Sequence, residues 1–176
     1  MRTSRRVIFA FLLGGLLALQ GCTHPPPMPT VKHVDLQRFM GDWYVIAHIP
    51  TFIEDEAYNA IESYALTDEG HVATTFTFRE GGFDGERESW HPTGFVQPGT
   101  GNAVWDMQFV WPFRAEYRIV YLDDAYTQTV IGRSARDYVW IMTRDPHVDA
   151  DTYRKLVDVV TNLGYDVSKL RKVPHQ

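Results

Sequence analysis

One cysteine, Cys22, stands in a chain of 176 residues, so no internal disulfide can form and the fold must hold by burial alone. Long apolar runs are missing as well. The longest, Val7 to Leu19, is shorter than the roughly 20 residues a helix needs to cross a bilayer. Basic residues are outnumbered, 17 against 22 acidic, and no basic stripe is present, which excludes a nucleic-acid binder. The seven histidines are scattered without the spacing of a metal site. Ser63, Ser89 and Ser134 have no recognisable base beside them, and "GGFDG" opens no helix, so it is a loop and not a phosphate cradle. Glu86 and Glu88 could be imagined as a carboxylate pair for sugar chemistry, but they share one strand face beside a hairpin and read as a solvated edge. No catalytic residue, metal or cofactor is expected.

The N-terminus carries a clear pattern. Arg2, Arg5 and Arg6 precede the apolar run, the arrangement of a secretory signal peptide over residues 1–21. Leu19-Gln20-Gly21-Cys22 resembles the lipobox of bacterial lipoproteins, which implies cleavage before Cys22 and attachment of lipid to it. Residues 22–30 then form the lipidated Cys and a Pro-rich tether, "THPPPMPT", which can be neither helix nor central strand. Removal of residues 1–21 leaves 14 basic and 22 acidic residues, a net charge of −8. Such a chain is not drawn to anionic lipid electrostatically, so any membrane attachment is expected to be covalent. Thr23 is not the Asp that retains many such lipoproteins in the inner membrane. The expected address is the outer membrane, on its periplasmic face.

Residues 31–176 read as one domain of many short strands and one helix. β-branched and aromatic runs recur between Gly, Pro, Asp and Asn turn signals. They predict strands over 43–49, 57–66, 72–78, 87–96, 103–110, 116–122, 126–132 and 138–143. Eight strands with short links suggest an up-and-down antiparallel barrel, closed so that no edge remains. A two-sheet sandwich is the alternative, though its crossings need longer links. Asp149 is a good N-cap for a helix with Tyr153, Leu156, Val157, Val160 and Leu163 on one face, stopped by Gly164. It is expected to lie outside the barrel, with 165–170 returning as a short edge strand.

Up-and-down order sorts the barrel ends. Trp43, the "LDDAY" turn and Arg144 should meet at a closed end, where a guanidinium over the indole makes a plug. The opposite end collects the long loop after residue 49, the "WPF" loop and "SARD", and forms a mouth. The tether enters at the first strand, which suggests that the closed end lies nearest the anchor.

These features together resemble the lipocalin family. "FMGDWY", with Gly41 and Trp43, matches its Gly-x-Trp opening; "YLDDAY", with Asp123, matches its second motif; "WIMTRDP", with Arg144, matches its third. "DLQRFMGDWYVIA" and "LGYDVSKL" are similar to the bacterial outer-membrane lipoprotein branch and, more distantly, to apolipoprotein D. The resemblance implies a lipid-binding barrel holding a fatty acid or lysophospholipid, anchored through its N-terminal lipid, and a possible homodimer.

Period-2 alternation selects the inward side chains. Val45, Ala47 and Ile49 share a face with Trp43; Thr74, Phe76 and Phe78 share another; Trp105, Met107 and Phe109 a third. In the last strand Tyr138, Trp140 and Met142 are chosen over Val139 and Ile141, because the branched pair suits the helix and related lipocalins line their pocket with the matching Trp. Tyr64 is carried over on the same grounds. The expected ligand wall is therefore Tyr64, Phe76, Phe78, Met107, Phe109, Tyr138 and Trp140, with Arg79, Arg87, Arg114 and Arg118 candidates to meet the head. Competing readings are a lipid-modifying enzyme on this scaffold and a structural envelope protein.

Overall fold

The computed structural model describes residues 28–51, 54 and 56–176. The expected signal peptide, Cys22 and the expected tether as far as residue 27 lie outside the described residues. Ten strands form a single antiparallel sheet: β1 Gly41–Ile49, β2 Ala57–Leu66, β3 Val72–Glu80, β4 Arg87–Trp90, β5 Thr93–Val96, β6 Val104–Val110, β7 Phe113–Leu122, β8 Gln128–Gly132, β9 Val139–Thr143 and β10 Arg171–Lys172. From β1 to β9 each strand pairs with its neighbour in the chain, save that β3 pairs with both β4 and β5, which do not pair with each other; β1 also pairs with β9 and with β10. The β1–β9 pairing, Tyr44 opposite Thr143 and Ile49 opposite Val139, closes the barrel.

The eight expected strands are present, one of them in two pieces. The run over 87–96 breaks at His91-Pro92, because Pro92 has no N–H to give to a ladder. β7 begins at Phe113 rather than Glu116, so the hairpin tip shrinks to Trp111-Pro112. The expected return strand over 165–170 is a 3-10 turn, Val167–Lys169, and the pairing with β1 comes one step later, in β10.

Two apolar clusters divide the molecule. Inside the barrel, Phe39, Trp43, Val45, Tyr64, Trp105, Tyr117, Ile119 and Met142 pack together. Outside it, helix α2, Ala150–Asn162, seats Leu156 and Val160 on Ile46, Ala47, Val130, Val139 and Ile141. Asp149 caps the helix by accepting from the Asp151 and Thr152 amides, and Gly164, at φ +84°, takes the left-handed turn beyond its end. Val139 and Ile141 serve the helix and Met142 the interior, the alternation expected for β9.

A bulge overturns one other alternation. β1 slips register between Val45 and Ala47. One extra residue reverses every side chain beyond it, so Ala47 and Ile49 face the helix cluster rather than the interior. His48 turns to Glu54 instead. β6 slips between Met107 and Val110, which brings Phe109 to the rim, 44% exposed.

The closed end is held by Arg144. Its guanidinium lies 3.9 Å over the Trp43 ring. It donates to the carbonyls of Asp42 (2.6 Å), Arg38 (3.1 Å), Phe39 (3.0 Å) and Met40 (2.8 Å). These carbonyls belong to helix α1, Leu36–Phe39, and its entry into β1. Gly41, at φ +91°, lets the chain turn there, and a Cβ on it would sit 3.4 Å from Arg144 Nη1. The indole donates to Phe39 O at 2.9 Å. Asp123 fastens the adjoining turn by accepting from the Thr127 and Gln128 amides, both at 2.7 Å.

Truncating Trp43 to Ala should cost about 3–5 kcal/mol by the cavity it leaves, and Arg144→Ala less. In a urea-unfolding double-mutant cycle the pair should lose less than the sum. Strict additivity would show that the stacking contact carries no energy.

Candidate functional site

A cavity of about 430 Å³ opens at the end of the barrel opposite Arg144, within the roughly 300–1,000 Å³ of small-molecule sites. Phe76, Trp90, Pro92, Met107, Phe109, Val110, Ala115 and Trp140 make the apolar part of its wall. Its position follows from the plug. Phe39, Trp43, Tyr64, Trp105 and Tyr117 fill the lower barrel, with Trp105 and Tyr117 stacked 4.9 Å apart and 7° from parallel. Above that layer the inward positions no longer meet across the lumen.

Of the expected wall residues, Phe76, Met107, Phe109, Tyr138 and Trp140 line the cavity. Tyr64 and Phe78 do not. Tyr64 lies in the aromatic layer, its ring 5.7 Å from those of Phe39 and Trp105, and Phe78 is buried against Phe76, 5.2 Å away. Arg79, Arg87, Arg114 and Arg118 are likewise not in the wall. Arg79 donates to Gly85 O, Arg114 covers the Phe95 ring and Arg118 pairs with Glu116. Arg133 contributes to the lining instead, 3.4 Å from Asp137. Its Nε has no hydrogen-bond partner among the described residues.

Three carboxyl groups in the wall, Glu54, Glu62 and Glu116, escaped the sequence reading. Glu54, on the β1–β2 connection, is buried and accepts from Trp140 Nε1 (3.0 Å) and the Thr51 amide (3.3 Å). Glu62 points inward from β2, where it receives the Tyr64 hydroxyl, itself 2.7 Å from the Tyr117 hydroxyl. Strand alternation carried a signal for Glu62, which shares the face of Tyr64. Burial, and next the charge of Glu54, raise the Glu62 pKa to about 8, so at neutral pH this side chain is mainly an uncharged acid. Burial, and then Glu62, push the Tyr117 hydroxyl well up.

A closed antiparallel barrel with an outer helix, an arginine on a tryptophan at one end and an apolar chamber at the other is the frame these observations define. Residues 34–175 match the family model described as a lipocalin-like domain. The chain is a lipocalin. It is 29% identical to temperature-induced lipocalin-1 of Arabidopsis thaliana over 86% of this chain and 85% of that one. Outer membrane lipoprotein Blc of Citrobacter freundii is 28% identical, over 93% and 90%. Apolipoprotein D of Bos taurus is 27% identical, over 93% and 87%. Among solved structures, insecticyanin from the tobacco hornworm Manduca sexta superposes with a TM-score of 0.67 at 17% identity, covering 86% of each chain. As a lipocalin the chain is a binding protein for small hydrophobic molecules, not an enzyme.

Glu62 has a consequence for this lipocalin's stability. The unfolded chain releases the proton near the ordinary carboxyl range, while the folded chain holds it to about 8. Stability therefore falls as pH rises through that interval. Glu54, Tyr64 and Tyr117 are the titratable groups facing it. His175, whose pKa burial lowers, acts in the opposite sense, so variants should be compared at each pH. The melting temperature of Glu62→Gln should gain on wild type steadily from pH 5 to 8.5. A constant difference across that range would contradict the assignment.

Proposed function

We propose that this lipocalin holds one fatty acid or lysophospholipid in the barrel, acyl chain toward the aromatic floor and polar head at the rim, for storage or transport of lipid in the cell envelope. The carrying observation is the one-ended, mostly apolar chamber with Arg133 in its wall. Burial of the chain supplies affinity, and the guanidinium suits a carboxylate or phosphate. The wall holds no other cationic side chain among the described residues.

Lipidation of Cys22, as the lipobox implies, would hold the protein in the outer membrane, in keeping with the lipoproteins it resembles. The described chain then bears on orientation. Met28 is fully buried, donates to Ser134 Oγ (3.3 Å) and packs beside Tyr165. Ser134 follows β8 at the mouth, between Arg133 and Tyr138. From there the chain descends past Ile119, whose carbonyl receives the Val31 amide, to helix α1 at the closed end. The expectation that the closed end lies nearest the anchor is thereby replaced. Five residues separate Cys22 from Met28, a span of at most about 22 Å, which keeps an anchored mouth close to the bilayer. The hairpin tip at that end exposes Trp111 by 81% and Phe113 by 76%, in reach of the same surface. A homodimer covering this tip is the other arrangement, and it would bring the mouths of two copies together.

Titration of the delipidated protein with saturated fatty acids should quench tryptophan fluorescence saturably, since Trp90 and Trp140 are in the wall. The dissociation constant should rise by up to about fourfold for each CH₂ removed, the equivalent of roughly 0.8 kcal/mol. In cells, Cys22→Ser should release the protein from the outer-membrane fraction. Absence of saturation, or no dependence on chain length, sinks the pocket; continued fractionation of the variant with the membrane sinks the anchor.

A further inference from the structure

The floor of the chamber is more polar than an acyl terminus needs. Glu62 and Thr74 both line it, on neighbouring strands. Glu62 stands opposite Phe76 and Tyr64 opposite Thr74, so Glu62 and Thr74 are diagonal neighbours, about 7–8 Å apart at the backbone. Thr74 shares the inward face of β3 with Phe76 and is only 3% exposed, yet its Oγ1 has no hydrogen-bond partner among the described residues. Trp90 Nε1, on the strand paired with Phe76, is buried and equally without one. Tyr64 engages Glu62 through Oε2.

We propose that this floor is a hydroxyl-recognition site, so that the preferred ligand is a chain amphiphile with an alcohol at its buried end, held between Glu62 and Thr74. The assignment rests on the lipid-binding reading above and specifies which amphiphile the chamber prefers. A plain methyl terminus would cover these groups and leave them unpaired, at the cost of a desolvated donor and acceptor. A hydroxyl both donates and accepts, and so answers the carboxyl and the threonine together. An anionic terminus finds no cation at this depth, because Arg133 stands at the rim, just past the end of β8. An ammonium finds no counter-charge either, since burial and Glu54 keep Glu62 mainly protonated at neutral pH.

The test compares dodecanoate with 12-hydroxydodecanoate at pH 7, by displacement of a fluorescent fatty acid from the delipidated protein. The two share a head and differ only at the buried end. In a wholly apolar pocket the added hydroxyl weakens binding about tenfold or more. Here 12-hydroxydodecanoate should bind at least as tightly as dodecanoate. Glu62→Leu and Thr74→Val should each shift the ratio of the two constants about tenfold against the hydroxy acid. A tenfold preference for dodecanoate in the wild type overturns the assignment, as does a ratio that neither variant alters. If dodecanoate binds and the ratio is wrong, the floor assignment alone falls; if dodecanoate does not bind, the lipid-binding reading falls with it.

Discussion

The contact on which the rest of the structure depends is Arg144 against Trp43. A barrel of eight strands has two open ends, and a chamber for one amphiphile requires that one be sealed. The guanidinium does this by two means, covering the indole face and collecting carbonyls from the turn that leads into β1. Those carbonyls end a four-residue helix too short to satisfy its own backbone. Arg144 thus provides donors where the chain geometry leaves acceptors, and the aromatic layer stacks on the result.

The character of the chamber follows from what that layer occupies. Phe39, Trp105 and Tyr117 fill the lower lumen with rings, so the open volume is displaced to the upper half. There the bulges in β1 and β6 rearrange the wall. The first removes Ala47 and Ile49 from the interior and brings His48 to Glu54, which in turn holds the indole of Trp140. At the second, Phe109 lines the rim of the chamber, next to the exposed hairpin tip. The outcome is an apolar wall with polar groups in two tiers, Arg133 above and Glu62 with Thr74 below.

Much of this was legible in the sequence, for stated physical reasons. Strand spacing and turn residues gave the barrel, and counting strands put Trp43, Asp123 and Arg144 at one end before any contact was known. The choice of Trp140 and Met142 over Val139 and Ile141 was readable because the helix needs a branched, apolar seat. Bulges were not readable: a one-residue slip leaves the pattern of residue types unchanged while reversing the faces, which is why Ala47 and Ile49 face the helix and not the interior. Tyr64, expected in the wall from the family resemblance, is inward but lies in the aromatic layer below the chamber, because resemblance carries over a face and not a depth. Glu62 was passed over because an acidic residue in a strand reads as solvent-facing unless its alternation is followed to the end. The path of Met28 to the rim depends on a tertiary contact with Ser134 that no local pattern encodes.

The central claim is that one acyl chain enters from the rim and points at the floor. Paramagnetic broadening of backbone amides by fatty acids spin-labelled near the head or near the tail tests this directly. A label near the tail should broaden Glu62, Thr74 and Tyr117, and one near the head should broaden Arg133, Ser134 and Tyr138. The same set of amides broadened by both labels, or broadening confined to the outer face of α2, would contradict the account.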